Sequence, residues 1–336
     1  MNTTSETSAD DPKPAHPTAP SRWRLGLGVV IVFVLVVTAL TVPIPFEARV
    51  AAVIGDLVHA PLFACLTWLT LRSLRRWGSL DTKGQELTIG RELVRVGVVI
   101  VLFFTFGVVM EFIQGLLGRS AAIHDAVSNG LGALAGGCWY LGTRFKRLTL
   151  RLMAVGVIGI AQWSPALIII DVIRKPFDFP RLASFETNAE MTRWHFSGSE
   201  GMPVKMHATD GKRSMRIVFR PGRYPSATMV DMYGDWSAAL SVEFDVTVDD
   251  VQAPPTLNFV FKTLDHDHLD YHSDTFRQTI ELRRGESYHV KVSLADVLFG
   301  PDDREMDLSR MKYLSFQVLQ PDVDTVVYVD NIRVAN

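Results

Sequence analysis

The residues best placed to do chemistry are polar side chains set among apolar runs in the first half of the chain. Glu111 and Gln114 are three residues apart, so they share one face of a helix. Asp125 and Asn129 are four apart and share a face in the same way. Arg119 lies between the two pairs. Because ionisable groups beside hydrocarbon are costly unless they face a partner, we expect these five residues to form a binding or catalytic cluster.

Apolar runs predict that the elements holding this cluster are membrane helices. Five runs come close to the roughly 20 residues that cross a hydrocarbon core. The predicted spans are 25–42, 57–74, 94–117, 124–142 and 150–171.

The net charge of −2 over 336 residues gives no reason to expect a nucleic-acid partner.

The distribution of basic residues predicts the orientation of these spans. Lys and Arg concentrate in the loops 72–95 and 143–151, whereas the opposite loops hold only Arg49 and Arg119. The positive-inside rule then places the N-terminus and both basic loops in the cytoplasm. With five spans, the chain after Asp171 lies outside. We therefore expect a multi-pass protein of the bacterial plasma membrane.

A second set of polar residues is expected at the same depth. Counted from the basic loops at about 1.5 Å per residue, Asp56, Glu111 and Asp125 all come near the outer edge of the lipid core. His59 follows Asp56 after one helical turn. We therefore add Asp56 and His59 to the candidate cluster.

Five short spacings of polar and small residues follow one another in this half: Asp56-x-x-His59, Glu111-x-x-Gln114, Gly118-Arg119, Asp125-x-x-x-Asn129 and Gly132-x-x-x-Gly136. In this order they resemble the VanZ-like membrane protein family over about residues 25–145. That family is named for a protein that gives low-level resistance to the glycopeptide teicoplanin. Leu57 departs from its pattern, because many members have a lysine there. The resemblance implies a polytopic protein of the cell envelope and no particular reaction.

Two kinds of chemistry would suit the cluster. Arg119 could hold a phosphate through two hydrogen bonds, with His59 and Glu111 as acid or base. Alternatively, the carboxylates and His59 could hold a divalent cation that bridges to the phosphate. Either site would bind or modify a lipid-linked envelope precursor or a phospholipid headgroup. Purely structural roles stay open as well, namely helix capping by Asp56 and Asp125 and an ion pair of Glu111.

Strict alternation of apolar and polar residues dominates the second half. In Leu240–Asp249 every second residue is apolar, and the same pattern recurs in 215–219, 257–261, 288–294 and 314–318. Many short alternating runs separated by turn residues predict an antiparallel β-sandwich. Aromatic platforms for a sugar would come from Trp194, Tyr224, Tyr233 and Tyr271.

Four short marks lie along this half: Phe185-Glu186, Thr209-Asp210-Gly211, Trp236 and Val329-Asp330-Asn331-Ile332. They resemble the galactose-binding-like jelly rolls of carbohydrate-binding modules over about residues 182–336. The resemblance implies a carbohydrate-binding-like domain and a structural calcium ion held by Glu186 and Asp330, with Asp210 as a further ligand. Turn capping by Asp210 and Asp330 is the alternative.

A histidine-rich segment, Leu264–Asp274, offers another metal site. His266, His268 and His272 lie close together in the sequence and could bind zinc or copper. A solvated polar loop is the alternative interpretation.

The expected organisation and function follow from these parts. The predicted domains are a disordered cytoplasmic tail, a VanZ-like helical domain, a fifth transmembrane helix, a tether and an outer β-sandwich, at 1–24, 25–145, 146–174, 175–181 and 182–336. One hypothesis is an envelope protein whose helices act on lipid-linked material or phospholipid headgroups while its outer domain binds cell-envelope polysaccharide. The other is a non-enzymatic, membrane-anchored glycan-binding or scaffold protein. No nucleophile elbow, phosphate loop or HExxH sequence occurs, so enzyme status stays open.

Overall fold

The computed structural model describes residues 48–78, 89–116, 123–249, 253–270 and 273–336. The first predicted span, 25–42, lies outside these residues, as do Arg119 and His272. Four long helices form the first part: α1 (Ala48–Gly78), α2 (Ile89–Leu116), α3 (Ile123–Arg144) and α4 (Leu148–Asp178).

Three of these helices are long and apolar enough to cross a membrane, judged by length and composition. They cover Arg49–Arg75, Ile89–Ile113 and Leu148–Asp178. The fourth predicted span, 124–142, forms helix α3 as expected, but it is not among the three. Its polar first turn and five glycines lower its mean hydropathy. Among the described residues, the sequence therefore supports three apolar spans and one more polar helix.

The predicted tether, 175–181, is mostly helical. Helix α4 continues to Asp178 and the first strand begins at Arg181. The proline-containing sequence suggested an irregular segment, yet Pro176 lies inside the helix. The connection between helix and sandwich is therefore shorter than expected.

The chain divides into two compact units. Among the described residues, one unit contains 61–157, and the other contains 48–60 together with 158–336. Helices α1 and α4 each contribute to both. This division differs from the predicted boundaries, because parts of two helices cluster with the β-sandwich.

Glycines determine how closely helices pack in the unit that contains residues 61–157, which we call the helical unit. A Cβ atom on Gly136 of α3 would lie 2.3 Å from the carbonyl oxygen of Ala64 on α1. A Cβ on Gly137 would lie 2.8 Å from Cδ1 of Ile100 on α2. The clash at Gly136 is with backbone, so only glycine fits there, whereas a side chain at Gly137 would require Ile100 to move. The spacing Gly132-x-x-x-Gly136 is one that allows helices to approach closely, and α1 and α3 do so at Gly136.

The second unit contains an antiparallel β-sandwich. Its strands are β1 (Arg181–Ala183), β2 (Trp194–Ser197), β3 (Ser199–Val204), β4 (Ser214–Phe219), β5 (Ser226–Met229), β6 (Ser241–Thr247), β7 (Thr256–Asp265), β8 (Phe276–Arg283), β9 (Ser287–Ser293), β10 (Met311–Val318) and β11 (Thr325–Ala335). Short 3₁₀ turns cover Glu190–Arg193 and Leu308–Arg310, and helix α5 covers Leu294–Leu298.

Two sheets build the sandwich. The six-stranded sheet has the order β3-β4-β11-β6-β9, with β1 also paired to β11. The five-stranded sheet has the order β2-β5-β10-β7-β8. All strand pairs are antiparallel, and one continuous apolar core contains side chains from both sheets. The predicted antiparallel β-sandwich is confirmed.

The predicted inward faces are largely correct. Phe244 and Val246 of β6, Phe261 of β7 and Phe316 of β10 are all buried in the core. Leu240 is the exception, since it precedes β6 and is exposed. Alternation identifies a face only within the strand itself, and Leu240 lies just before the strand begins.

Candidate functional site

One row of polar side chains crosses the outer face of the five-stranded sheet. Antiparallel register places Ser315 of β10 opposite Thr228 of β5 on one side and Lys262 of β7 on the other. The row ends at His195 on β2 and at Arg277 on β8. Phe261, before Lys262 on β7, and Leu314 and Phe316, on either side of Ser315, are core side chains, so this row points away from the core.

The centre of the row is inaccessible although it faces outwards. Ser315 is 4% exposed and Lys262 is 9% exposed, and Val260 and Leu264 on the same side of β7 are also buried. From Phe259 to Asp265, strand β7 is therefore buried on both faces. The middle of the outer face is a recess and not a flat solvated surface.

A small hollow lies in this recess. Its volume is about 90 Å³. The hydroxyl groups of Thr228 and Ser315 are 2.8 Å apart, so they form a hydrogen bond at its floor. The hollow is lined by Thr228, Lys262, Thr263, Leu264, Tyr313, Ser315 and Gln317. It thus offers hydroxyl, amide and ammonium groups beside one aromatic ring.

The segment after β7 is held firmly next to the hollow. The guanidinium of Arg304 donates to both oxygens of the fully buried Asp265, at 2.6 and 2.7 Å. It also contacts Asp274 at 2.7 Å. Burial opposes the charged form of Asp265, but the bonds from Arg304 lower the pKa of this carboxyl group below its usual range. The ring of His268, within this segment, lies 6.4 Å from the ring of Tyr313.

The predicted histidine metal site stays a prediction. A ring nitrogen of His268 lies 3.0 Å from the carbonyl oxygen of Asp265, and His266 is exposed. His272 lies outside the described residues. Within the described part of the sandwich, no three histidine, cysteine or acidic side chains have ligand atoms within 4.8 Å of one another.

Glu186 and Asp330, predicted as calcium ligands, accept hydrogen bonds from the backbone of the 209–213 turn. Together with Asp210 they do not form a site of three converging carboxylates. Oε1 of Glu186 accepts hydrogen bonds from the backbone N–H groups of Lys212 and Arg213, at 2.6 and 2.9 Å. These bonds lower the pKa of Glu186. Oδ2 of Asp330 accepts from the backbone N–H groups of Thr209 and Asp210, at 2.6 and 3.0 Å.

Of two further features of this turn, one favours calcium binding and the other opposes it. Oδ1 of Asp330 is buried without a hydrogen-bond partner among the described residues, and burial raises the pKa of this carboxyl group. That oxygen could serve a cation. The side chain of Asp210, in contrast, lies beside Arg181 at 3.7 Å. The geometry gives Glu186 and Asp330 the role of fixing the 209–213 turn, and calcium binding stays a prediction.

The helical unit brings three predicted residues together. Glu111 and Asn129 are buried, and Asp125 is half-buried. A carboxylate oxygen of Glu111 lies within 4.8 Å of one of Asp125. Asn129 follows one turn later on α3 and packs where a Cβ on Gly107 would lie, 2.8 Å away.

Of the other predicted members of the cluster, Asp56, His59 and Gln114 lie in described helices and Arg119 does not. Asp56 and His59 lie one turn apart on α1, where Asp56 is half-buried and His59 is buried. They belong to the second compact unit. Gln114 follows Glu111 by one turn on α2, and Arg119 lies outside the described residues.

Some polar contacts were missed by the sequence analysis. The hydroxyl of Tyr140 donates to the buried carboxylate of Glu92 in the helical unit. In the second unit, Asp171 at the end of α4 accepts from Arg193 and from Arg49. Each of these charged residues stands alone near the end of an apolar run in the sequence. Which of them form ion pairs is shown only by the folded chain.

The aromatic residues expected as sugar platforms are distributed differently. Trp194 is buried in the core and stacks on Phe316, with 5.9 Å between ring centroids. Tyr233 packs against Phe179, and Tyr224 is exposed. Tyr271 lies outside the described residues. The ring that does line the hollow, Tyr313, was not predicted, although alternation along β10 places it on the outer face.

Comparisons with known proteins concern the sandwich alone. No family model matches the sequence, and no curated protein matches it, so the VanZ-like pattern stays a resemblance in spacing. Among solved structures, the chain is similar to a family 11 carbohydrate-binding module from Clostridium thermocellum in complex with a β-1,3-1,4-mixed-linked tetrasaccharide. The identity is 16%, the match covers 46% of this chain and 94% of that one, and the TM-score is 0.36.

Two further solved structures show the same kind of likeness. An exo-beta-agarase matches at 19% identity and a TM-score of 0.36, over 46% of this chain and 24% of its own length. A xylan-binding domain from CBM 22 matches at 13% identity and a TM-score of 0.33, over 47% of this chain and 96% of its own length. This chain therefore spans about a quarter of the agarase. The assignment of a β-sandwich rests on the sheet topology itself.

Proposed function

We propose that this protein is a membrane-anchored glycan-binding protein whose ligand lies along the outer face of the five-stranded sheet. The observation that carries the proposal is the buried outward row. Ser315 and Lys262 point away from the core and are nevertheless almost inaccessible, so they form the floor of a recess. A recess with a few convergent polar groups is the usual form of a ligand site.

The groups in the recess suit a sugar. Each sugar hydroxyl both donates and accepts, and the hydroxyls of Thr228 and Ser315 and the amide of Gln317 can do the same. The ring of Tyr313 supplies an apolar surface with a polar tip. Under this proposal the ligand is a polysaccharide of the cell envelope, which is also the kind of partner expected from the jelly-roll resemblance.

The helices would supply the anchor. Three helices have the length and composition of membrane spans. The positive-inside pattern supports a cytoplasmic N-terminus and a sandwich on the outer side of a bacterial plasma membrane. Site-directed labelling of single cysteines introduced into the sandwich would test this orientation. Labelling by an impermeant reagent in intact cells is expected.

Glycan binding can be tested with a matched pair of variants. Thr228→Val removes one hydroxyl from the hydrogen-bonded pair in the recess. Thr247→Val removes one from an equivalent pair, Thr247 and Ser287, whose oxygens are also 2.8 Å apart, on the other sheet. A net hydrogen bond is worth about 0.5–1.5 kcal/mol, so Thr228→Val should weaken binding roughly 2- to 12-fold. The control should bind like wild type.

The measurement is affinity electrophoresis of the full-length protein in detergent micelles against a panel of neutral and acidic polysaccharides. Binding that responds to Thr228→Val and not to Thr247→Val supports the proposal. Absence of binding to every polysaccharide, or equal effects of the two substitutions, contradicts it.

A second candidate function concerns the helical unit. The carboxylates of the buried Glu111 and the half-buried Asp125 come within 4.8 Å of each other. Two carboxylates this close repel each other and attract a cation, and the ring of His124 already lies 3.1 Å from Asp125. This arrangement favours cation-assisted binding or modification of a phosphorylated lipid precursor or headgroup. A strain lacking the protein, complemented with Glu111→Gln or Arg119→Lys, should then lose any teicoplanin-tolerance phenotype that wild type and Gly156→Ala restore.

A further inference from the structure

A second hollow opens where helix α4 enters the sandwich, and we call it the junction hollow. Its volume is about 390 Å³, compared with about 90 Å³ for the hollow in the recess. Helix α4 ends at Asp178 and strand β1 begins at Arg181, and both belong to the second unit. The polar lining of the junction hollow consists of Asp178, Arg181, Thr209, Asp210, Asn331 and Arg333.

A bulge in β11 forms the floor of the junction hollow. Between Asp330 and Arg333, three steps along β11 correspond to two steps along β6. Val329 and Ile332 are both core side chains. The two residues between them, Asp330 and Asn331, therefore both lie on the side away from the core. Asn331 has a φ of 54°, in the left-handed region that costs free energy for a residue other than glycine, which is a feature typical of functional sites.

Carboxylates beneath the hollow fix its two neutral polar side chains. Asp245 accepts hydrogen bonds from the hydroxyl of Thr209 at 2.5 Å and from the side-chain amide of Asn331 at 3.0 Å. Asp330, which is 1% exposed, accepts from the backbone N–H groups of Thr209 and Asp210. Lining groups that are held by such supporting hydrogen bonds are preorganised for a ligand.

Two arginines form one side of the junction hollow. Arg181 of β1 and Arg333 of β11 are direct partners in the antiparallel register, so their side chains are neighbours. Arg333 donates to Glu243 at 3.3 and 3.4 Å. Nε of Arg181 lies 3.7 Å from Asp210, beyond hydrogen-bond length, and Arg181 makes no hydrogen bond among the described residues. Arg181 can therefore donate to a ligand without losing an existing hydrogen bond within the protein.

Asp178 adds a negative charge that helix stability does not explain. It is the last residue of α4, where a carboxylate opposes the helix dipole. Within the described part of the chain it forms neither an ion pair nor a hydrogen bond. With Asp210, it sets two anions beside the two arginines of the lining. Such a mixed lining suits a ligand that itself carries both a negative and a positive group.

The apolar length of α4 gives the hollow a depth. Arg151 and Asp171 are 20 residues apart with no charged residue between them, which is roughly 30 Å of helix and matches a bilayer hydrocarbon core. Asp178 lies roughly 10 Å further along, and the headgroup layer on each side is about 5–8 Å thick. Under the proposed membrane anchor, the junction hollow therefore lies at the outer limit of the lipid headgroups.

We propose that the junction hollow binds a phosphoethanolamine group. The guanidiniums of Arg181 and Arg333 bind the phosphate, and the carboxylates of Asp178 and Asp210 bind the ammonium. The group belongs either to a phospholipid head, which the depth of the hollow favours, or to a soluble phosphodiester. This inference rests on the proposed membrane anchor and not on glycan binding in the recess, so the two can fail separately.

The test compares ligands that share a phosphate and differ in the group attached to it. Full-length protein in maltoside micelles is titrated calorimetrically with dihexanoyl phosphatidylethanolamine, phosphatidylcholine and phosphatidylglycerol. The choline lipid has a methylated cation that cannot donate hydrogen bonds to carboxylates, and the glycerol lipid has no cation. We expect the ethanolamine lipid to bind about 10-fold or more tightly than the other two.

A ligand without acyl chains distinguishes the two sources. Glycerophosphoethanolamine carries the same group as the ethanolamine lipid. Both of its outcomes support the recognised chemistry, because weaker binding than that of the lipid indicates a membrane lipid and equal binding indicates a soluble phosphodiester.

Variants assign the two charges of the ligand separately. Arg181→Met should weaken the ethanolamine and glycerol lipids alike, by about 10-fold. Asp178→Asn should weaken only the ethanolamine lipid, by a similar factor. Arg220→Met is the matched control and should bind like wild type, because Arg220 is also exposed but follows β4 at the other end of β11. Arg181 and Asp178 are both exposed, so thermal unfolding should show unchanged stability and separate lost binding from lost folding.

Four other outcomes overturn the inference. The first is that no lipid binds, and the second is that all three bind equally and neither Arg181→Met nor Asp178→Asn has an effect. The third is that the glycerol lipid binds as tightly as the ethanolamine lipid and Asp178→Asn changes nothing, which shows a site for anions alone. The fourth is that Thr228→Val abolishes lipid binding, which places the lipid in the recess. Glycan binding is measured with polysaccharides and is decided independently of these results.

Discussion

Replacing Arg193 by methionine should strongly destabilise the second unit. The guanidinium of Arg193 is almost completely buried and donates to both oxygens of Asp171, at 2.9 and 2.6 Å. It also donates to the carbonyl oxygen of Leu182 at 3.0 Å. Methionine keeps most of the apolar stem and removes all three bonds. Among the described residues, Asp171 would then still contact one cation, Arg49.

The magnitude follows from burial. Removing one partner of a buried ion pair costs about 3–5 kcal/mol, and the remaining contact of Asp171 with Arg49 favours the lower end of this range. Arg220 provides the matched control, because it contacts Glu200 at 2.5 Å, but the two side chains are 56% and 59% exposed. An exposed pair is worth roughly 0.2–1 kcal/mol. The two arginines thus make equally short contacts in opposite environments.

Thermal unfolding of the full-length protein in detergent, followed by circular dichroism of the β-sheet signal, measures the difference. A unit of this size shifts its Tm by roughly 2–4 °C per kcal/mol. Arg193→Met should therefore lower the Tm by about 6–20 °C, and Arg220→Met by no more than about 4 °C. Equal shifts for the two variants would refute the assignment of the buried network as a principal support of this unit.

Two further predictions concern other parts of the chain. Gly136→Ala should destabilise the helical unit by about 1–3 kcal/mol, because the new Cβ would overlap a backbone carbonyl. Gly156→Ala is the control: nothing lies within 4 Å of its Cβ position, so it should be neutral or stabilising by up to about 1 kcal/mol. Thermal unfolding in detergent measures both variants. Asp330→Asn should stabilise the sandwich at pH 7 by up to about 1 kcal/mol, because burial raises the pKa of this carboxyl and penalises its charged form. The advantage should shrink as the pH falls towards the usual carboxyl value of about 3.9, where wild type also becomes neutral. A calcium site at Asp330 would contradict this prediction. Added calcium would then raise the Tm of wild type and not that of Asp330→Asn.

The sequence predicted those features of the sandwich that depend on neighbouring residues. Once Phe261 and Phe316 are assigned to the core, alternation places Lys262 and Ser315 on the outer face. What alternation cannot show is that this outer face is recessed, or that Lys262 lies opposite Arg277. Both depend on which strands pair and in which register, and turns and bulges far from these residues decide that.

The helical half was less predictable for a related reason. Hydropathy identified the long helices, and Gly132-x-x-x-Gly136 is a spacing compatible with the close approach at Gly136. Burial of Glu92 against Tyr140 could not be foreseen, because those residues are far apart in the sequence and meet only when α2 and α3 pack together. The same holds for Arg49, whose partners Asp171 and Asp231 lie more than a hundred residues away.

The position of this charge network relates the two halves of the proposed function. Arg193 immediately precedes β2, which carries His195, and Asp231 follows β5, which carries Thr228. Arg193 binds Asp171 on α4, and Asp231 binds both Arg49 on α1 and Lys175 on α4. The two strands at one side of the recess are therefore held at their ends by charges on the helices of the same unit.

A short connection supported by buried ion pairs is not needed by a module attached through a flexible tether. It is expected in a protein that holds a polymer against an anchor, because force on the ligand then passes through buried ion pairs into the helices. The outer sheet face and the helix ends thereby belong to one compact unit, as the proposed binding role requires.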